Sequence, residues 1–150
     1  MPNLIAEMPF DMMDLILNGS LSEFFEFGDV ITGTDSTLVV EHYDGATTDR
    51  LTLNGMFGDY VDGYPTTGTI TSISFAVNGG TVFTVAVMAM SVEEFTQYAT
   101  TDDLYSLFST ILAGTDNIYG SGLDDRLIGF SGDDLVGGGD GNDTVDAGGG

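Results

Sequence analysis

Asp116, Asp125, Asp134 and Asp143 stand nine residues apart, and two places after each comes an aliphatic residue, at Ile118, Leu127, Val136 and Val145. Two chemically different positions that keep one period make the tail of this chain a repeat, which restricts it to few folds. Written from Ile111, the rows are ILAGTDNIY, GSGLDDRLI, GFSGDDLVG and GGDGNDTVD, followed by AGGG. In an extended segment the aliphatic residue points inward while its neighbours, Asn117 and Tyr119 or Arg126 and Ile128, point outward. The residues before it must turn the chain sharply, and glycine accepts positive φ without steric cost. Such turns aim backbone carbonyls at a common point. A carboxylate at the end of each turn adds hard oxygen ligands, a donor set that suits Ca²⁺ rather than a soft-ligand metal.

The fourth row fits the pattern GGxGxDxUx throughout, and residues 112–150 resemble the RTX (hemolysin-type) calcium-binding repeat. The resemblance implies a parallel β-roll in which row n stacks on row n+2, pairing Asp116 with Asp134 and Asp125 with Asp143 around calcium. It also implies that turn carbonyls complete each shell, from Gly114, Gly120, Gly129, Gly132, Gly138, Gly139 and Gly141. Two departures stand out. Ile111 and Leu112 occupy places where glycines belong, and read better as a helix face covering the first coil. Leu123 holds the fourth place of row two, where a left-handed backbone is costly, so the first turns are expected to bind weakly or distort. Composition alone suits a disordered linker, and without calcium that state is expected, since stacked carboxylates repel and one aliphatic per row cannot offset the entropy of ordering glycine.

RTX proteins typically leave the cell through a type I channel guided by a C-terminal signal, and low cytosolic calcium keeps their repeats unfolded until export. The resemblance therefore implies a secreted, extracellular protein. No such signal is visible, and the chain stops at Gly148-Gly149-Gly150 partway through a fifth row, which reads as a fragment of a longer protein. The N-terminal MPNLIAEMPFDMMDLILNG lacks a basic region and carries Glu7, Asp11 and Asp14, so it is a poor secretory signal peptide. No segment is apolar enough for a membrane span.

The formal charge is −22, with Arg50 and Arg126 as the basic residues. That balance argues against nucleic acid or an anionic membrane as partner and favours cations. The absence of cysteine removes disulfides and thiolate metal sites.

Residues 1–111 read as an α+β leader or capping domain, mainly antiparallel sheet plus short helices. Phe10, Met13, Ile16 and Leu17 have helical spacing, with Asn18-Gly19 as a stop. Ser20 with Glu23 could cap a further turn, whereas Phe25-Glu26-Phe27 alternates as a strand would. Residues 37–43, 50–57, 69–77 and 81–90 are rich in Val, Ile, Thr and Phe and read as strands, the last one central; Asn78-Gly79-Gly80 makes a hairpin. Asp44-Gly45 and the stretch from Gly63 to Gly68 punctuate the rest. Ser91 to Glu94 is a capping box opening one helix, and a second carries Leu104, Leu107, Phe108, Ile111 and Leu112 on one face. A sheet, two helices and LAGTDNI also resemble the uncharacterised leader in front of many bacterial RTX arrays.

His42 is the single histidine, so a zinc-protease HExxH is excluded, and no GxSxG or cysteine nucleophile exists. His42 reads as a surface or partly buried strand residue. Among the carboxylates, Glu93 and Glu94 lie in the cap, while Asp59 and Asp62 sit in a turn where Asp is common or, alternatively, form an extra calcium site. Tyr60 and Tyr64 are exposed turn residues or a sugar-stacking patch. The expectation is a non-enzymatic calcium-binding module whose leader acts as a cap, adhesive domain or assembly surface. Two alternatives stand beside it: an accessory fragment of a larger polysaccharide-modifying or lipolytic enzyme, and an extracellular structural protein that self-associates through an open roll end. No residue pattern names a glycan or surface receptor.

Overall fold

The computed structural model describes residues 2–18 and 20–150, and within them not the side chains of Ile16, Leu17, Asn18, Val87 and Met88. Of the helix stop read at Asn18-Gly19, Gly19 lies outside the described residues. The fold is mixed α+β, mostly sheet with a few short helices. In chain order it runs β1 (Asn3–Ala6), α1 (Met12–Asn18), α2 (Ser22–Glu26), β2 (Asp29–Gly33), β3 (Thr37–Tyr43), β4 (Thr48–Val61), β5 (Tyr64–Val77) and β6 (Gly80–Ser91). Then come α3 (Val92–Thr100), α4 (Leu104–Ile111), β7 (Asn117–Tyr119), β8 (Arg126–Ile128), β9 (Leu135–Gly137) and β10 (Thr144–Asp146).

An eight-stranded sheet has the order β2-β3-β4-β5-β6-β1-β7-β9, and β8 pairs separately with β10. From β2 to β1 every pairing is antiparallel, as short hairpins between β-branched strands allow. From β1 onward the pairings with β7 and β9 are parallel. The apolar run of β6 is internal to the sheet, between β5 and β1. The β5–β6 hairpin turns at Asn78-Gly79, with φ of 49° and 82°, and closes on the pair Val77 and Gly80. Strand alternation expected Ile70 and Ile73 on opposite faces. Both are buried, because the register with β6 shifts between Ile70 and Ser72 and so re-aims one of them.

Strands β4 and β5 run longer than their composition suggests. The Gly63–Gly68 stretch does not separate them: β5 starts at Tyr64, and the β4–β5 hairpin turns at Asp62-Gly63, opposite the pair Val61 and Tyr64. The helices pack on one sheet face. Phe95, Leu104 and Leu107 are at most 2 % exposed, each such burial stabilising by about 1.5–3 kcal/mol. The Ser91 hydroxyl accepts from the Glu94 N–H, and the Asp103 carboxylate accepts from Ser106, so α3 and α4 both begin on side-chain caps.

The ambiguous stretch after residue 20 is a helix, not a strand, and Ser20 is not its cap. Its Ncap residue is Leu21, which has no cap of its own. Asp102, held at φ 52° between α3 and α4, reaches across and accepts from the N–H groups of Leu21 (2.7 Å) and Ser22 (2.9 Å) and from both serine hydroxyls. Burial alone would raise the Asp102 pKa, but these hydrogen bonds outweigh it and hold the carboxyl below the ordinary aspartate range.

Candidate metal centre

Rows one and three meet as β7 and β9, with Asn117 opposite Leu135 and Ile118 opposite Val136; rows two and four meet as β8 and β10, with Leu127 opposite Val145. Each row therefore lies against the row two places on, and the turns fall on two edges. The inward aliphatics lose burial along the tail, from 0 % exposed at Ile118 and Leu127 to 45 % at Val145.

The repeated aspartates have two separable contacts. One oxygen accepts from the backbone N–H of the aspartate in the stacked row: Asp116 N–H to Asp134 Oδ1, and Asp125 N–H to Asp143 Oδ1, each 3.0 Å. The other oxygen lies over the first glycine of its own row. A Cβ on Gly120 would fall 2.7 Å from Asp125 Oδ2, on Gly129 2.8 Å from Asp134 Oδ2, and on Gly138 2.2 Å from Asp143 Oδ2. At Gly138 the aspartate is the nearest obstacle, whereas at Gly120 and Gly129 the stacked row is nearer still, a Cβ falling 2.0 Å from the Gly138 oxygen and 2.6 Å from the Ala147 oxygen; both approaches require glycine at the first place. At the fourth place Gly132 takes φ 135°, and a Cβ there would meet the Gly114 carbonyl oxygen at 1.5 Å. Gly139 stacks on the Ser121 carbonyl and Gly141 on Leu123. Leu123 avoids positive φ, so the row-two turn departs from rows one, three and four, whose fourth-place glycines are left-handed.

The four aspartates are not equivalent. Asp125 is 4 % exposed and already saturated: Oδ1 accepts from Phe10 N–H at 2.6 Å, and Oδ2 accepts from the Ser121 N–H and hydroxyl at 2.7 and 2.9 Å. Asp116 is 0 % exposed, and neither of its oxygens has a hydrogen-bond donor; Asp134 Oδ2 is buried and unpartnered as well. Burial first, and the neighbouring Asp134 carboxylate second, raise the Asp116 pKa. Three buried oxygens on these two carboxylates thus have no hydrogen-bond donor, an arrangement that is costly to bury.

The reason lies at the other end of the chain. Residues 2–12 run along the first two rows as though they were earlier ones. Leu4 sits opposite Ile118 in parallel register, Asn3 accepts from the Asn117 side-chain amide at 3.0 Å, and Asp11 bridges Arg126 in parallel. Arg126 N–H donates to the Phe10 carbonyl just as Leu135 donates to Asp116 and Thr144 to Asp125; Asn117 donates to Pro2 in the same way. Phe10 thus occupies the place of a row aspartate beneath row two, and its N–H satisfies Asp125. Pro2 occupies that place beneath row one, and proline has no N–H to offer Asp116. Sequence reading missed this segment because it carries neither glycines nor the row aspartate.

Among the described residues no three or more His, Cys, Asp or Glu side chains converge as a metal cluster. At Asp116 and Asp134 there are instead two carboxylates with unpartnered buried oxygens, in rows whose Gly114 carbonyl stacks on Gly132; oxygen ligands of this kind suit Ca²⁺. Asp59 and Asp62 join no group of three or more metal-ligating side chains among the described residues: Asp59 Oδ2 accepts from the Thr67 hydroxyl, and Asp62 forms the hairpin turn at φ 51°. Nor do Tyr60 and Tyr64 form a stacking patch. Tyr60 donates to the Thr34 carbonyl, while Tyr64 is half-buried, donates to the Phe24 carbonyl and packs on Phe25. No family model, curated protein or solved structure matches this chain.

Proposed function

We propose that the chain is a secreted, non-enzymatic calcium-binding module in which residues 112–150 form a short parallel β-roll that orders when Ca²⁺ binds. Residues 1–111 serve as its cap and as an adhesive or assembly surface. The observation that carries the reading is the trio of orphaned oxygens on Asp116 and Asp134, buried between stacked turns. The n to n+2 pairing of the rows and the formal charge of −22 support it. On this reading Asp116 and Asp134 supply charge to the ion, with Gly114, Gly129 and Gly132 as carbonyl donors. On the other edge Asp143, Gly120, Gly138, Gly139 and Gly141 compose a second, weaker site, because Asp125 is held by Phe10 and Ser121. The RTX resemblance brings with it type I export and folding outside the cell, where calcium reaches the millimolar range of extracellular modules.

A calcium titration followed by far-ultraviolet circular dichroism and by counting bound ions tests this. A gain of β signal with one strong and one weaker site is the expected result. Absence of binding, or binding unaltered by Asp134→Ala, refutes it. A second reading, calcium-dependent self-association, is supported by the edge strands β9 and β10 with Leu135 and Val145 about half exposed beside them. Sedimentation as a monomer in saturating calcium excludes that second reading.

A further inference from the structure

The covered face of the main sheet is not fully packed. Between β3–β6 and the helices α1, α2 and α4 lies a cavity of about 290 Å³. It is roughly twice the ~150 Å³ of an apolar protein cavity that stays dry and takes up benzene, and it sits at the lower end of the roughly 300–1,000 Å³ of small-molecule sites. Four aromatic rings wall it in series: Phe24 to Phe75 at 6.1 Å, Phe75 to Phe83 at 6.0 Å and Phe83 to Phe108 at 5.9 Å between centroids.

The polar part of the lining is Ser20, Glu23, His42 and Asp49. His42 and Asp49 are directly opposed across β3 and β4, so both side chains emerge on the cavity face, and Glu23 of α2 brings Oε2 to 3.8 Å from His42 Nδ1. The His42 side chain is 15 % exposed and the Glu23 side chain 53 %, which places this group where the cavity meets solvent. Among the described residues His42 makes no hydrogen bond. Neither arginine serves the cavity: Arg50 is engaged by Glu41, and Arg126 lies in the tail.

We propose that this cavity is a binding site for a compact apolar amine, its hydrocarbon or aromatic body among the four phenylalanines and its ammonium between Glu23 and Asp49. An anionic amphiphile of the same size finds no arginine or lysine there and meets two carboxylates within a strongly acidic protein. The site is separate from the repeat turns and does not depend on their reading.

Isothermal titration of the calcium-saturated chain with phenethylamine, and with hydrocinnamate as an anion of similar apolar body, tests the proposal. The amine binds at least about tenfold more tightly than the carboxylate, in keeping with charge pairs deciding specificity at a partly desolvated site. In the double variant Glu23→Gln with Asp49→Asn, two partly exposed positions whose replacement preserves the core, that preference disappears. Ile73→Phe, which puts bulk into the cavity wall, abolishes binding of the amine. Equal affinity for the two probes, no binding of either, or a preference that survives the double variant overturns the proposal.

Discussion

Asp116→Asn favours the folded tail without calcium and weakens its response to calcium. Without the ion, a fully buried carboxylate with no donor on either oxygen faces a second buried carboxylate oxygen on Asp134. Leaving such a group unsatisfied costs about 1–3 kcal/mol, and the near-isosteric amide removes the charge while offering Asp134 a donor. In the variant the ordered state of the tail is therefore favoured by about that amount when calcium is absent, which reads as more β signal and a higher Tm in chelator. With calcium that lead narrows by about 1.3 kcal/mol. At free calcium one hundred times Kd, the parent gains about 2.7 kcal/mol, whereas a site weakened tenfold gains only about 1.4 kcal/mol. The measurement is thermal unfolding in chelator and across a calcium series. A variant less stable than the parent in chelator refutes the argument from orphaned oxygens, and an undiminished calcium shift refutes Asp116 as a ligand. Pro2→Ala provides a cross-check, since it restores the N–H that Phe10 supplies one row later, and it too raises stability in chelator.

Asp125→Ala leaves the buried Phe10 N–H and the Ser121 N–H without acceptors, so urea unfolding shows a loss of about 3 kcal/mol that calcium does not recover. Gly132→Ala, with φ 135° and a Cβ 1.5 Å from the Gly114 oxygen, destabilises the tail by about 2–4 kcal/mol. Gly122→Ala, where a Cβ meets nothing within 4 Å, is the matched control and stays within about 0.5 kcal/mol in the same unfolding measurement. Asp102, held below the ordinary aspartate range, contributes stability that is present above that range and lost as pH falls through its own lowered pKa. Unfolding followed from neutral to acid pH in Asp102→Asn is expected to show a weaker protein near pH 7 and a flatter acid limb.

Much of the candidate site was legible because its constraints are local. Nine-residue spacing places aspartate, glycine and aliphatic positions in fixed relation, and a Gly-to-Asp contact within one row, such as Gly129 with Asp134 Oδ2, depends on that row alone. The two capped helices were legible for the same reason, since Ser91 and Asp103 bond residues only three places away. Strands β1 and β2 were not read, whereas β3 to β6 were legible by composition. Their ends and bulges were not, because a register shift such as that at Ile70 depends on what the neighbouring strand presents.

By itself the sequence determined the row period and the inward turn of Ile118 and Leu127, but not the burial of Ile128, which alternation places outward. Only the tertiary structure decided which carboxylates are free to meet a cation. Asp116 and Asp125 look alike in their rows, yet one lies beneath Pro2 and the other beneath Phe10, residues more than a hundred positions away. A buried carboxylate is satisfied or orphaned by whichever backbone N–H reaches it, and a period within one segment carries no information about a partner supplied by another. The same holds for Asp102, whose role is to cap a helix that begins 80 residues earlier, and for the cavity, which exists only because helices from both ends of the leader close over one face of the sheet.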